Sequence, residues 1–369
     1  MSSVSRQILD GLLVLDLSAG VAGQFAGRVL AEHGAEVLLV EPPEGSPLRH
    51  VSDPDDRHLF WHLNTAKRSV AIDRATAPGR AVFHRLLQHA DVILADGDED
   101  PRPLRVGRPR LITCRVRDFA EGGPYANWRG SEMIHQALSG LMHTTGRAED
   151  EPLYGFGHRA SYSAGAAAVT AILGALMLRE ETDAGRDLDI SIHETAVAMS
   201  QNLVAQYSYN GSAPTRGPYP GACDIFQCSD GWVSIYCRGD RWGALCTHLG
   251  APDVGTDPLF ASSDLLVKNW KEAYERLSAV IAHMACADFI SRVTAARALA
   301  AKVSTMADAL ACPHLAARGF WERANDGTRE RIVLGPLFRF SRTPRTVMHG
   351  APALGEANAA LVSCEAADA

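Results

Sequence analysis

The amino-terminal region contains the pattern that most restricts the fold of this chain. An apolar run at residues 12–17 leads into a glycine-rich turn, a helical pattern at residues 25–33 and a second apolar run at Glu36–Glu41 that stops at two prolines. Strand, turn, helix and strand in this order predict a βαβ unit with parallel strands and a right-handed crossover. Strand and helix patterns alternate as far as residue 192, so we predict a doubly wound α/β sheet in a Rossmann-like large domain.

A β-hairpin signal marks the middle of the chain. Two alternating runs, residues 224–227 and 232–237, flank a Ser-Asp-Gly turn, and helical patterns follow them. This block predicts a smaller α+β domain, and residues 332–334 predict one more strand near the end of the chain.

Charge and apolar patterning exclude several classes of protein. The formal net charge is -7 and the basic residues are scattered, so no nucleic-acid partner is expected. The apolar stretches are too short for a membrane span, and the first residues do not have the pattern of a secretion signal. The eight cysteines form no CxxC pair and lie mostly in apolar runs. We therefore predict a cytoplasmic protein with no membrane partner.

Three motifs that suggest cofactors or acid–base pairs have simpler interpretations. The glycines of the first turn do not have the GxGxxG spacing of a nicotinamide site. His58 and His62 are spaced to share a helix face, but no third metal ligand is evident and two aromatic residues lie between them. His193 and Glu194 can form an acid–base pair, or can simply begin the next helix. We predict neither a cofactor nor a metal.

A series of short motifs runs from about residue 9 to about residue 345. Their order and spacing together resemble those of the class III CoA-transferase family. That family includes formyl-CoA transferase, carnitine CoA-transferase and alpha-methylacyl-CoA racemase. The longest motifs are Val14-Leu15-Asp16-Leu17, Gly34-Ala35-Glu36-Val37, Leu63-Asn64-x-x-Lys67-Arg68-Ser69-Val70, Gln136-Ala137-x-Ser139-Gly140-Leu141-Met142 and Gly185-Arg186-x-x-Asp189-Ile190-Ser191.

The resemblance implies a specific architecture and chemistry. Family members have a large Rossmann-like domain built from both chain ends and a small middle domain, and two chains interlock as a dimer. For this chain the resemblance implies that residues 1–205 begin the large domain, residues 206–315 form the small α+β domain with its linkers, and residues 316–369 complete the large domain. Their active site lies near the subunit interface and acts on acyl-CoA thioesters. The transferases use an Asp carboxylate that attacks the thioester to give a mixed anhydride and then an enzyme-bound CoA thioester.

The nucleophile is the main point at which this chain departs from the family. The resemblance places Ser161, four residues before Gly165, where the transferases have that Asp. An ester of Ser161 would be more stable than an anhydride and would stall transfer, and we expect this residue to cap the helix that follows. The racemase triplet Gly-His-Asp aligns with Gly130-Ser131-Glu132, so Ser131 replaces its His and only Glu132 keeps a carboxylate.

The residues that would hold CoA also differ. An acidic segment at residues 96–98 replaces a segment that holds the nucleotide in the family, and Leu39 replaces a Lys. Like charges near the CoA phosphates predict weak CoA binding. Lys67, Arg68 and Arg129 remain as basic residues that we expect to bind substrate. The Gly-rich lid of the formyl-CoA branch is missing, and the loop at residues 210–223 is a candidate replacement.

New polar groups surround Ser161. His158 can transfer protons near neutral pH, and Arg159 can hold a carboxylate in a bidentate contact. Tyr162 follows Ser161 directly. Alternatively, His158 and Arg159 are ordinary surface residues that precede a helix.

These observations support three hypotheses. The first is a diverged enzyme that no longer transfers CoA but performs isomerisation, elimination or cyclisation on a carboxylate or acyl substrate. In that enzyme His158 carries protons, Glu132 is a second acid or base, Arg159 holds the anion, and Ser161 and Tyr162 donate hydrogen bonds.

The second hypothesis is a non-catalytic subunit that pairs with an active paralogue in a heterodimer instead of forming a homodimer. The third is a true acyl-CoA transferase with a displaced nucleophile, either Glu132 or Asp240.

Overall fold

A six-stranded parallel sheet forms the centre of the larger of two compact units. The computed structural model describes residues 7–50, 57–212, 216, 222–325, 330–335, 337–343 and 349–359. The strand order is β3-β2-β1-β4-β5-β6, and every neighbouring pair is parallel, which confirms the predicted doubly wound α/β sheet. The strands are β1 (Leu13–Asp16), β2 (Glu36–Glu41), β3 (Arg68–Ala71), β4 (Val92–Asp96), β5 (Ile112–Arg117) and β6 (Asp187–Ser191).

Helices cover both faces of this sheet because successive strand residues point to opposite sides. Val14 packs into a core with the helices α1 and α5, whereas its neighbour Leu15 packs into a second core that includes Phe83 of α3. The helices of this unit are α1 (Val21–Glu32), α2 (Arg57–Asn64), α3 (Ala77–His89), α4 (Glu132–Leu138), α5 (Arg159–Thr182), α6 (Ile192–Met199) and α7 (Gln201–Asn210).

The helix α5 lies at the packed centre of the unit. Its 24 residues are long and apolar enough to cross a membrane, yet it packs against α1 and the sheet. A Cβ added at Gly165 would lie only 2.6 Å from the carbonyl oxygen of Ala22, so the backbones of α5 and α1 are in close contact. It is therefore a core helix.

The carboxy-terminal part of the chain joins the larger unit. The Asn358 side chain accepts a hydrogen bond from Ala71 N and donates one to Ala71 O, each at 3.0 Å, and so attaches this segment to β3. The larger unit comprises residues 1–146, 150–214 and 318–369, whereas the sequence-based boundaries lie at residues 205 and 316. Its remaining elements are the antiparallel strands β10 (Trp321–Asn325) and β11 (Glu330–Leu334).

The second unit comprises residues 147–149 and 215–317. The predicted hairpin is present, and a third antiparallel strand extends it; Phe226, Leu245 and Phe289 are fully buried in the core beneath. Most of the loop at residues 210–223 lies outside the described residues. The elements are β7 (Ala222–Cys228), β8 (Gly231–Cys237), β9 (Leu299–Lys302), α8 (Trp242–Leu249), α9 (Pro252–Thr256), α10 (Ser263–Lys268), α11 (Trp270–Ile281), α12 (Cys286–Ala295), α13 (Met306–Leu310) and α14 (Pro313–Ala317).

Candidate functional site

The carboxylate of Glu132 sits at the amino end of α5. Glu132 is the first residue of α4, and its Oε1 accepts a hydrogen bond from Ala160 N at 2.7 Å. Its Oε2 accepts hydrogen bonds from Ser161 N at 3.3 Å and Ser161 Oγ at 3.2 Å. A helix leaves its first N–H groups without partners, and His158, the N-cap residue of α5, makes no side-chain cap bond. Glu132 therefore supplies the cap from another element.

This arrangement corrects the expectation that Ser161 caps α5. The helix begins at Arg159, so Ser161 lies within the first turn and its hydroxyl donates to Glu132. The local sequence suggests a Ser cap because Ser is favoured at that position, but a carboxylate from α4 already occupies the place where a cap would act.

Gln136 fixes the other side of the Glu132 carboxylate. Its Nε2 donates to Glu132 Oε1 at 2.9 Å and to Gly155 O at 3.0 Å, and its Oε1 accepts from Gly155 N at 2.8 Å. The side-chain amide thus binds both backbone groups of one loop residue. It holds the loop before α5 and the carboxylate of Glu132 in one hydrogen-bonded group.

The residues predicted around Ser161 occupy different environments. His158 is half-buried, and Arg159 is exposed with its guanidinium against Gly155, where an added Cβ would lie 2.4 Å from Nη1. Within the described part of the chain, no carboxylate pairs with Arg159. The ring of Tyr162 packs edge-on against Phe25 with centroids 4.8 Å apart. The structure thus brings Glu132, Ser161 and Arg159 close together, and turns Tyr162 toward α1.

His62 lies behind Tyr162 with the two ring centroids 6.4 Å apart. Arg28 Nη1 lies 2.7 Å from Nδ1 of His62 and donates to its carbonyl oxygen at 2.8 Å. Burial, reinforced by the Arg28 charge, lowers the pKa of His62 to about 3, so its ring is neutral at physiological pH. No cluster of three or more potential metal ligands occurs among the described residues.

Lys67 and Arg68, which the sequence predicts to bind substrate, do not contact Glu132 or Ser161. Lys67 is buried, and its ammonium donates to Asp16 Oδ2 at 2.7 Å, Gln24 O at 2.7 Å and Asn64 Oδ1 at 2.9 Å. An ammonium has three donors, so none is left for a substrate unless this network breaks. Arg68 begins β3 and pairs on the surface with Glu36 at 2.6 Å.

The acidic segment continues past β4 to residue 100, and its three carboxylates after the strand each pair with an arginine. This changes the premise of weak CoA binding, because a carboxylate paired with a guanidinium repels a phosphate much less than a free one. The pairs are Asp98 with Arg129, Glu99 with Arg74 at 2.7 Å, and Asp100 with Arg102 at 2.7 Å.

Asp96 differs from the other acids of this segment. It ends β4, and its carboxylate accepts hydrogen bonds from Ala19 N at 3.0 Å and Gly20 N at 2.6 Å at the start of α1. Burial raises the pKa of Asp96 to about 6, although both backbone hydrogen bonds oppose that shift. Its carboxylate therefore faces the glycine-rich turn, where it caps α1.

A pocket of about 110 Å³ opens where β4 and β5 end. Arg117, Trp128 and Arg129 line it together with Gly97 and Asp118. Ligands of open α/β sheets bind beyond the carboxyl ends of the strands. Asp98 also lines the pocket and pairs with Arg129, so an anionic group that uses this guanidinium has to displace the Asp98 carboxylate. Of the predicted residues, Arg129 lines this pocket. Ser131 is exposed at the N-cap of α4.

Sequence reasoning missed the contact between the half-buried Asp118 and the buried His135. Asp118 Oδ1 lies 3.0 Å from His135 Nε2, and Asp118 Oδ2 accepts from Gly130 N at 2.9 Å. The His135 hydrogen bond holds the pKa of Asp118 below its ordinary value. The available signal was a His on a short helix that turns into the core, because a buried imidazole requires a polar partner.

Comparison with known proteins places the whole chain in one group. A model of CoA-transferase family III matches residues 9–358. The succinate–glutarate CoA-transferase of Agrobacterium fabrum is 28% identical over 96% of this chain and 95% of its own length. The succinyl-CoA–D-citramalate CoA-transferase of Chloroflexus aurantiacus is 30% identical over 95% and 92%. A crystal structure of a CaiB/BaiF family protein from Brucella suis has a TM-score of 0.90 and 28% identity, covering 97% of this chain and 99% of that one.

Proposed function

Because the chain belongs to CoA-transferase family III, we propose that it transfers CoA from an acyl-CoA thioester to a free carboxylic acid, with Glu132 as the nucleophilic carboxylate. One observation carries this proposal. The Glu132 carboxylate contacts Ser161, the residue that the family resemblance places at the position of the nucleophilic Asp. A carboxylate reaching in from α4 can thus do the chemistry that Ser161 cannot.

The reaction balances without any further reactant. A carboxylate oxygen of Glu132 attacks the thioester carbonyl carbon, the C–S bond breaks, and CoA leaves as a thiolate while a mixed anhydride forms. The thiolate then attacks the glutamyl carbonyl, releases the first acid as its carboxylate and leaves a glutamyl-CoA thioester. An acceptor carboxylate repeats these two steps in reverse order, which forms the new acyl-CoA and restores Glu132.

The start of α5 supplies electrostatic support for these steps. Each attack on a glutamyl carbonyl creates a negatively charged oxygen, and the N–H groups of Ala160 and Ser161 already point at the Glu132 oxygens. Backbone donors fixed in this way stabilise such an oxyanion without reorganising. The positive end of the helix dipole acts in the same direction.

The alternative nucleophile, Asp240, has a less suitable environment. It lies in the second unit with its side chain mostly exposed, and its nearest cations are Arg238 at 3.6 Å and Arg241 at 3.9 Å. Its carboxylate has no pair of backbone donors like those around Glu132 in the described structure. Solvent therefore competes for any charge that develops there.

The other two hypotheses have less support. The relatives described above are named as CoA-transferases, which gives no backing to chemistry without CoA. The arginine pairs of the acidic segment also weaken the argument against CoA binding. The non-catalytic subunit is tested by activity, because the cap that Glu132 gives to α5 serves an active and an inactive chain equally.

We propose that the acid is a dicarboxylic acid, whose second carboxylate binds Arg159. This guanidinium lies beside Gly155, which Gln136 links to Glu132, and no carboxylate among the described residues neutralises it. Succinate, glutarate and citramalate, which the relatives' names contain, all carry two carboxyl groups. The pocket beside Arg129 is the candidate site for the anionic part of CoA.

We also propose that the protein is a homodimer, as the family resemblance implies. Large apolar side chains are exposed on the larger unit, including Phe156 at 91% and Tyr209 at 92%, and no side chain of α7 is buried. Light scattering should therefore give a mass of two chains. A mass of one chain would contradict the homodimer, and a stable complex only with a paralogous chain would favour the heterodimer.

Chemical trapping tests the role of Glu132. The protein is mixed with succinyl-CoA and then quenched with hydroxylamine, which converts a glutamyl thioester or anhydride into a hydroxamate. Peptide mass spectrometry should find the hydroxamate at Glu132 and show none in the Glu132→Gln variant. A hydroxamate at another carboxylate, or CoA transfer at an undiminished rate by Glu132→Gln, would refute the assignment.

A further inference from the structure

The contact between Asp118, which is half-buried, and His135, which is buried, holds both sides of the start of α4, the helix that carries Glu132. The Oδ2 atom of Asp118 binds Gly130 N, just before the helix, at 2.9 Å. Its Oδ1 atom lies 3.0 Å from Nε2 of His135, which stands in the middle of the helix. One carboxylate therefore joins the end of β5 to the approach to α4 and to the helix itself.

The first turn of α4 is held on the side of α5 by the hydrogen bonds of Glu132, and on the side of β5 by the contacts of Asp118. The helix has seven residues, and Ser131 at its N-cap makes no side-chain cap bond. Short helices owe their stability to tertiary contacts, and an uncapped first turn frays. Glu132 is the first helical residue, so its position depends directly on what holds this turn.

Gly130 packs so tightly against Asp118 and His135 that the backbone before α4 has little room to move. A Cβ added at Gly130 would lie 2.3 Å from the His135 ring and 3.0 Å from Asp118 Oδ1. No side chain fits between the backbone and these two groups. The carbonyl oxygen of Asp118 also accepts a hydrogen bond from His193 N at 3.0 Å, which ties the same point to the start of α6.

His135 has no second partner within the described residues. The residue is 1% exposed, and its Nδ1 makes no hydrogen bond there. A carboxylate only accepts hydrogen bonds, so the proton belongs on Nε2 and leaves Nδ1 as a bare lone pair. In this tautomer the imidazole buries no unpaired N–H group, and its one polar contact is the carboxylate of Asp118.

We propose that Asp118 and His135 are positioning residues, which act by setting the Glu132 carboxylate against the first turn of α5. The inference rests on the proposed function, in which Glu132 is the nucleophile. His135 does not touch substrate in this scheme, whereas Asp118 also lines the pocket proposed for the anionic part of CoA, so the kinetic test below uses His135 variants. Their removal lets the first turn of α4 move, and the carboxylate then loses its alignment with Ala160 N and Ser161 N.

Amide hydrogen exchange tests the structural half of the proposal without any assay of activity. His135→Leu should speed exchange at the amides of Ala160 and Ser161 by about tenfold or more, because the Glu132 cap loosens. His135→Gln, whose side chain keeps an N–H donor near Nε2, should exchange close to the wild-type rate. The amides of β2 serve as internal controls. If His135→Leu folds poorly, Asp118→Asn provides the test, because it keeps the shape of the carboxyl group.

Steady-state kinetics test the functional half. His135→Leu should lower kcat for CoA transfer by about tenfold or more while KM for acyl-CoA stays within about twofold, and His135→Gln should recover most of the loss. In a Glu132→Gln background the His135 substitution should have no further effect on the residual rate. Unchanged exchange at Ala160 and Ser161 would overturn the proposal, as would an unchanged kcat in an active enzyme. If the wild type transfers no CoA, the proposed function fails, and the exchange result alone decides whether the pair positions Glu132.

Discussion

Two helices of the larger unit, α1 and α5, each begin with a carboxylate that another element supplies. Asp96 at the end of β4 binds two backbone N–H groups at the start of α1, and Glu132 of α4 binds two at the start of α5. In both helices the N-cap residue makes no side-chain cap bond. Sequence patterns alone do not separate these two carboxylates.

Their surroundings make the difference. Asp96 extends from a central strand into a cramped turn, where a Cβ at Gly20 would lie 2.9 Å from its Oδ2. Glu132 sits on a short helix beside a hydroxyl group and near the guanidinium of Arg159, which pairs with no carboxylate among the described residues. Asp96 thus closes the turn just before α1, whereas Glu132 binds N–H groups within the first turn of α5. In our proposal this difference in support and access separates a structural carboxylate from a reactive one.

The largest expected effect is on the rate of CoA transfer, which should depend on the carboxylate of Glu132 much more than on that of Asp96. Glu132→Gln should lower kcat for CoA transfer by about a thousandfold or more, because the amide is not a nucleophile. Asp96→Asn should keep the rate within about tenfold, since Asp96 serves the turn. Initial rates of CoA transfer, followed by chromatography of the two CoA esters, measure both. A larger loss in Asp96→Asn than in Glu132→Gln would reverse the assignment.

The next prediction concerns the buried ion pair beneath the α1 turn. Lys67→Met should lower the free energy of unfolding by about 3–5 kcal/mol, because it leaves the Asp16 carboxylate buried without its cation. Urea denaturation measures the change. Arg159→Met, on the exposed first turn of α5, should change it by no more than about 0.5 kcal/mol. If both variants lost the same free energy of unfolding, the buried region beneath the α1 turn would be no more rigid than the exposed first turn of α5.

A third prediction uses pH to test Asp96. The folded protein holds the Asp96 proton up to about pH 6, whereas the unfolded chain releases it near its ordinary pKa of about 4. The folded state therefore binds more protons across this window, and its stability falls as the pH rises. Asp96 should lower the free energy of unfolding by about 2 kcal/mol between about pH 4 and pH 6.

The control for this titration is Asp96→Asn, which has no proton to lose. Urea denaturation at several pH values should show a flatter dependence in the variant than in the wild type. Parallel curves would mean that burial does not raise the pKa of Asp96.

The smallest effect concerns the pocket after β4 and β5. Asp98 pairs with Arg129 on the surface, so it competes with any phosphate that approaches this guanidinium. Asp98→Asn should lower KM for acyl-CoA by about two- to fivefold, the range of an exposed ion pair. Asp100→Asn is the matched control, because it removes a neighbouring carboxylate whose arginine, Arg102, still pairs with Glu121 at 2.8 Å. A higher KM in Asp98→Asn would show that CoA does not use Arg129.

Most of the sheet was predictable because its strands are buried runs of apolar residues. The predicted and observed bounds of β2 coincide, since burial on both faces leaves a continuous apolar signal. The sequence predicts the next two strands at residues 91–94 and 110–115, within about two residues of the observed bounds of β4 and β5. β9 was missed because Leu299–Lys302 is short, largely exposed and rich in Ala, so neither alternation nor β-branched residues mark it as a strand.

The candidate site was predictable only in part. A family resemblance and the polar groups near Ser161 pointed to Glu132, Arg159 and Ser161, which the structure brings together. The contact between Asp118 and His135 could not be read from the sequence, because it joins a loop to a helix 17 residues away and follows no periodic pattern. Lys67 looked like a ligand for substrate because sequence alone cannot show that three acceptors surround its ammonium.

The four hydrogen bonds to Glu132 have a consequence for how the resting protein behaves. Gln136 Nε2, Ala160 N, Ser161 N and Ser161 Oγ together place two donors on each carboxylate oxygen. A carboxylate has about four lone-pair positions, so none remains free for an electrophile. In the CoA transfer that we propose, Glu132 therefore has to give up one of these hydrogen bonds before it can attack a thioester. The same four donors would keep its carboxylate unreactive while the site is empty.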